Sequence, residues 1–227
     1  MPAKNSIKIY VENSYYHVYN RGVEKRTIFQ DEQDYKVFLN YLKEYLSPIP
    51  KPEDRITKPV YVQGQTFNAF ARLPNNYYEK INLIAYCLMP NHFHLILKQK
   101  DKKIMTKFMQ SLITRYSIYF NKKYKRVGSL FQGRYKAALV DNENYLLHLS
   151  RYIHLNPYES SKDLTIAHSS YSEYLMERKT EWVKPEAILS YFDQAKSDFK
   201  KTNSYKDFVE KYDKNSASIL EKLTLED

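Results

Sequence analysis

Two histidines separated by a single residue, His92 and His94, are the residues whose type and spacing most clearly predict chemistry. They open an apolar run that continues to Leu97, which is typical of a β-strand. Because side chains alternate across a strand, both imidazoles would point to one face while Phe93 points to the other. One metal ion could therefore contact both rings. The structural alternative is a pair of strand histidines that are satisfied by hydrogen bonds.

The later segment 152–157, with the sequence Tyr-Ile-His-Leu-Asn-Pro, supplies further candidates. If this segment is helical, Tyr152 and Asn156 lie one turn apart on the same side. A tyrosine nucleophile and an amide ligand could then share the metal ion with the histidines. Tyr152 could instead be a core residue, and Asn156 could simply end the helix before Pro157. His154 is offset by two positions from Tyr152, so we predict a structural or phosphate-contacting role for it.

The charge and aromatic content indicate the class of partner. The chain of 227 residues has 36 Lys and Arg against 26 Asp and Glu, a formal charge of +10, which favours nucleic acid or an anionic membrane. Its 23 tyrosines and 11 phenylalanines, many of them beside Lys or Arg, favour a surface that stacks unpaired bases while binding phosphates. For any single ring, a place in the core is the simpler interpretation.

The absence of sorting signals in the sequence predicts a cytoplasmic protein. The first residues contain no apolar signal core, and the longest apolar stretch is interrupted by Pro90 and by both histidines. We therefore expect no membrane segment. The single cysteine, Cys87, excludes a disulfide framework within the chain and is predicted to be a small buried residue.

The hydrophobic pattern predicts alternating strands and helices. Helix start signals occur at Asp31 and at Asp141 or Asn142. The predicted strands are 15–20, 81–88, 92–98 and 135–140, and the predicted helices are 31–46, 102–123 and one that follows residue 142. This order predicts an α+β fold with a ferredoxin-like or RRM-like antiparallel sheet and helices on one face.

Two regions lie outside this pattern. Residues 47–80 contain five prolines and are predicted to be a loop insertion that holds a short hairpin at 60–62 and 66–70. Residues 161–227 are predicted to form a mostly helical C-terminal extension, with two polar helices at 184–200 and 205–223. We therefore expect a catalytic domain over residues 1–160, followed by this extension.

Four segments in this order resemble the single-tyrosine HUH endonuclease transposases, and in particular the REP-associated tyrosine transposases. They are Tyr16–Gly22, Met89–His94, Gly128–Arg134 and Tyr152–Pro157. The resemblance extends over residues 10–160 and implies a fold of the kind predicted from the pattern. It also implies that Tyr152 attacks a phosphodiester of single-stranded DNA and forms a 5′-phosphotyrosine.

The resemblance and the residue types together indicate the cofactor and the partner. His92, His94 and the amide oxygen of Asn156 would hold a divalent ion, Mg²⁺ or Mn²⁺, that neutralises the phosphodiester. The expected partner is a hairpin-forming single strand, and both a monomer and a homodimer are compatible with the sequence. Basic residues near the strand ends are candidate phosphate contacts, although an ordinary solvated basic face is the alternative. The candidates are Arg21, Lys25, Arg26, Arg115, Arg126 and Arg134, with Lys122, Lys123 and Lys125.

Two other functions compete with a metal-dependent DNA endonuclease and strand transferase. A non-catalytic or host-adopted nucleic-acid-binding protein would use the same sheet but tolerate Tyr152→Phe and metal chelation. A zinc-dependent hydrolase would act without a covalent protein–DNA intermediate. It ranks last because the motif contains no carboxylate to serve as a base.

Overall fold

A computed structural model of the chain describes residues 8–159, 163–192 and 204–211. The strands are β1 (Tyr15–Arg21), β2 (Thr57–Val62), β3 (Gln65–Phe70), β4 (Ile81–Met89), β5 (His92–Gln99) and β6 (Lys136–Val140). The α-helices are α1 (Glu32–Leu46), α2 (Ile104–Lys123), α3 (Glu143–Leu155), α4 (Tyr171–Tyr174), α5 (Glu186–Leu189) and α6 (Tyr205–Glu210). Short 3₁₀ turns occur at Val23–Lys25, Pro52–Asp54 and Asn156–Glu159. In these ranges no helix combines the length and apolarity needed to cross a bilayer.

The main sheet has four antiparallel strands in the order β4-β5-β1-β6. This is the ferredoxin-like order, in which α1 connects β1 to β4 and α2 connects β5 to β6. Both helices pack on one face of the sheet over a core that contains Phe38, Phe93, Phe108 and Tyr116. The predicted fold class and antiparallel sheet are confirmed.

The start of two helices follows from local hydrogen bonding. The side chain of Asp31 accepts a hydrogen bond from the backbone N–H of Asp34 at 3.1 Å, which caps α1. Asn142 caps α3 in the same way, because its Oδ1 accepts from the N–H of Tyr145 at 2.7 Å. The prediction left Asp141 and Asn142 as alternatives, and the structure selects Asn142.

The helix α3 lies on the opposite face of the sheet from α1 and α2. Its residues Leu149 and Ile153 pack in a second core cluster with Ile96 and Val140. The prediction of helices on one face therefore holds for α1 and α2 and is corrected for α3. The physical reason is the composition of two neighbouring strands: nearly all of β4 and β5 is buried on both faces, so a single layer of helices would leave one apolar face in water.

The insertion between α1 and β4 contains a separate two-stranded sheet made of β2 and β3. The predicted hairpin is therefore present, and it is slightly longer than predicted. Every residue of both strands is exposed. The hairpin thus projects from the body of the protein as a β-ribbon.

The C-terminal segments pack on α3. Tyr205, Phe208 and Val209 of α6 are buried in the same core cluster as α3, so α6 has an apolar face where we predicted a polar helix. The predicted helix at 184–200 is described only up to residue 192, and there it is the single turn α5. Its start is delayed because the backbone N–H of Lys184 bonds the carbonyl of Leu83 at 2.8 Å, which holds the chain extended beside β4. The rest of both predicted helices lies outside the described residues.

Candidate active site

The face of the sheet under α3 gathers the predicted site residues into rows that cross the strands. His92 is in register with Arg21 of β1 and with Met89 of β4. His94 is in register with Tyr19 of β1 and with Cys87 of β4. Alternation along β5 places both histidines on this face, as predicted.

The two histidine rings lie close together and are shielded from water. Their ring centroids are 5.0 Å apart with an interplanar angle of 88°. His94 is only 2% exposed, and the Nε2 atoms of both rings are buried. The pair forms a compact set of donor atoms beneath α3.

Hydrogen bonds orient both rings. His92 Nδ1 is 2.6 Å from Oδ1 of Asn91, and an amide oxygen only accepts hydrogen bonds, so Nδ1 donates and the neutral ring has its lone pair on Nε2. His94 Nδ1 is 2.8 Å from Nε2 of His17. If His94 Nδ1 donates to His17, the lone pair of the His94 ring is on Nε2, as it is in His92. A partner for the other ring nitrogen is characteristic of histidines that bind metals.

Burial keeps the imidazoles of His17 and His94 neutral. Desolvation lowers the pKa of His17 to about 3. Burial first, and then the neighbouring rings of His17 and His92, hold the pKa of His94 well below its usual value. At neutral pH the lone pairs of His94 and His17 are therefore not lost to protonation, which is a requirement for binding a cation.

Tyr152 lies directly against the histidines. Its ring packs edge-on to His94, with centroids 5.6 Å apart and an interplanar angle of 85°. It also packs edge-on to His17 at 6.4 Å and 77°. The helix α3 positions it, because the buried residues of α3 face the sheet and Tyr152 lies at the edge of that face, half-buried.

Asn156 lies one turn beyond Tyr152. The α-helix ends at Leu155, but Asn156 keeps helical backbone angles (φ −52°, ψ −39°). It is the first residue of a 3₁₀ turn that also contains Pro157. Its backbone N–H donates to the carbonyl of Tyr152. Pro157 therefore ends the α-helix without displacing Asn156 from the side of α3 that carries Tyr152.

His154 has a structural environment. It is fully buried, and its Nδ1 lies 2.7 Å from the hydroxyl of Tyr205 while its Nε2 lies 2.8 Å from Oγ of Ser170. Burial lowers its pKa to about 3. Of the two roles predicted for His154, the structure supports the structural one.

We expect His154→Ala to lower the free energy of unfolding by about 3 kcal/mol, because it removes two buried hydrogen bonds and leaves a cavity. Urea unfolding followed by circular dichroism measures the change. Lys43→Ala, on the exposed side of α1, is the control and should change stability by less than about 0.5 kcal/mol. Equal stability of the two variants would contradict this role.

Loops from three of the four motif segments meet at the histidine end of the sheet. The N–H of Gly22 donates to the carbonyl of Asn91 at 2.8 Å, and the N–H of Gln132 donates to the carbonyl of Arg21 at 2.8 Å. A Cβ at position 22 would collide with the carbonyl oxygen of Arg26. Glycine is therefore required there for the loops to approach each other.

The predicted basic residues separate into two groups. Arg21 lies beside His92, and its Nε donates to Oε1 of Gln132 at 2.6 Å. The remaining members near this end are exposed or half-buried, and the group consists of Arg21, Lys25, Arg26, Arg126 and Arg134. Arg115 is distant from them, because it lies on α2 across the sheet, where Glu44 binds its guanidinium at 2.6 Å.

Lys136, which the sequence did not single out, lies on the histidine face. It is in register with Tyr19, and its Nζ lies 5.7 Å from the centroid of the Tyr19 ring. The Tyr19 ring in turn stacks on His94 at 5.9 Å. Alternation along β6 could have placed Lys136 on one of the two faces, but only the strand register shows that this face is the one with the histidines.

Cys87 is buried beside His94, as predicted for a small buried residue. Burial raises the pKa of its thiol, which disfavours the thiolate. The described residues contain no group of three His, Cys, Asp or Glu side chains that could hold a metal ion by themselves. A metal ion at His92 and His94 would thus need ligands of another type.

Residues 62–156 match the model of the family described as transposase IS200 like. This match contains His92, His94, Tyr152 and Asn156, and it confirms the resemblance to these transposases. Similar solved structures include a REP-associated tyrosine transposase bound to a REP hairpin, with 12% identity and a TM-score of 0.49, over 80% of this chain and 97% of that chain. A candidate transposase from Deinococcus radiodurans R1 aligns with 13% identity and a TM-score of 0.36, over 67% and 95%. No curated protein gives a significant match.

Proposed function

We propose, from the IS200-like transposase region at residues 62–156, that this chain is a metal-dependent endonuclease and strand transferase for single-stranded DNA. Tyr152 is the nucleophile, and the intermediate is a 5′-phosphotyrosine. The observation that carries the proposal is the position of the Tyr152 ring, edge-on to His94, above two histidines whose Nδ1 atoms are both held by hydrogen bonds.

His92, His94 and the amide oxygen of Asn156 would hold the divalent ion, which we propose is Mg²⁺ or Mn²⁺. The fit rests on two neighbouring imidazoles with buried Nε2 atoms and on an amide one helical turn from the nucleophile. Two imidazoles and one amide leave positions for a phosphate oxygen and for water. When bound, the ion neutralises the phosphodiester and stabilises the charge that develops in the transition state.

The hydroxyl oxygen of Tyr152 attacks the phosphorus atom of the scissile phosphodiester. A bond forms between that oxygen and phosphorus, the bond to the 3′ oxygen of the upstream fragment breaks, and the phosphorus stays bonded to the 5′ oxygen of the downstream fragment. The phenol proton is released to solvent, and the departing 3′ oxygen takes up a proton. Because the ester energy is conserved in the phosphotyrosine, a 3′-hydroxyl can reverse the step and join strands without ATP.

Lys136 supplies positive charge at the edge of this site. Its ammonium lies over the ring of Tyr19, on the side of the sheet that Tyr152 and the histidines share. We propose that it contacts the scissile phosphate or the adjacent one and favours the charged transition state. A lysine at this position also offsets the repulsion between the DNA and the tyrosine as it loses its proton.

We expect Lys136→Gln to slow single-turnover cleavage at least about 10-fold, with partial rescue by Lys136→Arg. The matched control is Lys98→Gln, since Lys98 also lies over a tyrosine ring of β1, that of Tyr15, but further from the histidines. The measurement is the cleavage rate at saturating DNA and metal. An equal loss in the Lys98 variant, or no loss in the Lys136 variant, would show that Lys136 has no specific role.

The substrate that we propose is a single strand that forms a hairpin. The basic group at the histidine end, from Arg21 to Arg134, lies at the end of β1 and on the loops beside the sheet. Such loops suit a folded strand whose phosphates approach from several directions. Readout of unpaired bases would occur near the cleavage position.

The experiment is incubation of the full chain with labelled hairpin oligonucleotides that have single-stranded flanks, in Mn²⁺ or in excess EDTA. A denaturing gel should show a covalent protein–DNA adduct in Mn²⁺ and none in EDTA. Tight binding with neither adduct nor cleavage, over several hairpins and metals, would favour the non-catalytic nucleic-acid-binding protein instead. Cleavage that never passes through an adduct would favour a hydrolase.

A further inference from the structure

A groove of about 920 Å³ runs along α2, on the helical layer opposite the histidine face. Its wall on α2 extends from Ile104 to Ile118, and its other wall is the end of the insertion. The charged residues that line the groove are all basic: Arg72, Lys80, Lys107 and Arg115. Of the other lining residues, five have Asn, Gln, Ser or Thr side chains, two are tyrosines and four are apolar.

Hydrogen bonds between the two walls hold the groove open. The hydroxyl of Tyr77 lies 2.7 Å from Oγ of Ser111, and Asn75 Nδ2 donates to the same Oγ at 3.1 Å. The backbone N–H of Tyr77 donates to the carbonyl of Tyr45 at 2.8 Å. The groove is thus built on buried tyrosines and needs no rearrangement to accept a ligand.

The groove lies at the far end of the sheet from the histidines. Lys80 precedes β4, whose first residue, Ile81, pairs with Gln99, whereas the last residue of β4 pairs with His92. Eight residues of strand separate the two ends, or about 25 Å. A ligand in the groove would therefore not occupy the Tyr152 site.

The β2–β3 ribbon continues the basic surface from the rim of the groove. The connection is short, because β3 ends at Phe70 and Arg72, two residues later, already lines the groove. Residues 55–78 contain three basic residues, Arg55, Lys58 and Arg72, and no acidic residue. The ribbon also exposes aromatic rings: Tyr61 is 73% exposed, Phe67 53% and Phe70 58%. A two-stranded ribbon without a core is weakly stable alone, so these exposed rings indicate a surface that a partner covers.

We propose that this groove and ribbon, which together we name the distal surface, bind the phosphate backbone and unpaired bases of nucleic acid. Exposed Arg72, Lys80 and Lys107 supply the charge, and the ribbon aromatics supply stacking. Arg115 contributes less charge, because Glu44 pairs with it while its guanidinium stacks on Tyr41 at 3.8 Å. The inference rests on the proposed function for the identity of the nucleic acid, which is the DNA that is cleaved. The part of the DNA in the groove would lie on the face of the sheet opposite Tyr152.

The test compares two triple variants of equal net charge. The first is Arg72→Gln/Lys80→Gln/Lys107→Gln in the groove, and the control is Lys36→Gln/Lys43→Gln/Lys179→Gln, three exposed lysines elsewhere. Fluorescence anisotropy measures the affinity for a hairpin with long single-stranded flanks. The salt concentration is varied from about 50 to about 200 mM, the range over which affinity from phosphate contacts falls steeply. Circular dichroism verifies that both variants fold.

We expect the groove variant to bind about 10-fold more weakly than the control and to reduce the slope of log K against log salt by about 2, as for three lost phosphate contacts. Tyr61→Ser/Phe67→Ser/Phe70→Ser should also weaken binding, but with little change of slope. Adduct formation at saturating DNA should be unchanged in the groove variant and in the aromatic variant. Equal affinity and slope for the groove and control variants would overturn the proposal. It would also be overturned if the groove variant lost binding to anionic lipid vesicles while its DNA binding stayed intact.

Failure of this inference and failure of the proposed function are distinguishable. An adduct at the normal rate with no difference between the two triple variants refutes the distal surface alone. No adduct from the unmodified chain, with weaker DNA binding by the groove variant, refutes the catalytic proposal and supports the distal surface.

Discussion

Replacement of Tyr152 by phenylalanine is expected to abolish the covalent adduct and to slow cleavage of a DNA hairpin by at least about 1,000-fold. The substitution removes only the attacking oxygen. The ring contacts with His94 and His17 are retained, so folding and metal binding should be unaffected. Single-turnover cleavage on a denaturing gel measures the effect, and anisotropy verifies that DNA binding persists.

Tyr145→Phe is the matched control, because Tyr145 lies on the same helix, two turns before Tyr152. It should cleave at the normal rate. If Tyr152→Phe kept its cleavage activity, or if both variants lost it equally, Tyr152 would not be the nucleophile.

His92→Ala is expected to slow cleavage by about 100-fold or more and to raise the Mn²⁺ concentration needed for half-maximal activity by at least about 10-fold. His92 is the better choice of the two histidines, because His94 is buried against His17 and its loss would also disturb the core. A Mn²⁺ titration of the single-turnover rate measures both effects.

The control for the histidine variant is His168→Ala. His168 lies outside the site, stacked on Tyr35 and hydrogen-bonded to Glu32. Its loss should leave the Mn²⁺ midpoint unchanged. An unchanged midpoint in His92→Ala would mean that His92 does not bind the metal ion.

The sequence predicts the elements of this fold well, because their signals are local. Alternation along the apolar run of β5 places His92 and His94 on one face without any knowledge of the partner strands. The capping side chains of Asp31 and Asn142 mark the starts of α1 and α3. The spacing of Tyr152 and Asn156 predicts a shared side of a helix, and their backbone hydrogen bond agrees with it.

Relations between elements are not local, and here the prediction is incomplete. The side of the sheet that α3 covers depends on the apolar area that α1 and α2 leave bare, which the order of elements does not encode. Lys136 joins the histidine face only through the register of β6 with β1. Arg115 has the same local signal as Arg126, a basic residue on or after α2, yet it lines the basic groove and pairs with Glu44.

The most direct test of the central claim is to locate the DNA on the protein. After reaction with a hairpin oligonucleotide in Mn²⁺, nuclease and trypsin digestion should leave a nucleotide on the peptide 152–162. Trypsin releases this peptide by cleaving after Arg151 and after Lys162, and it contains Tyr152 and Tyr158. Fragmentation by tandem mass spectrometry distinguishes the two tyrosines. Our account predicts a phosphodiester-linked nucleotide on Tyr152, and attachment at Tyr158, at any other residue or at none would contradict it.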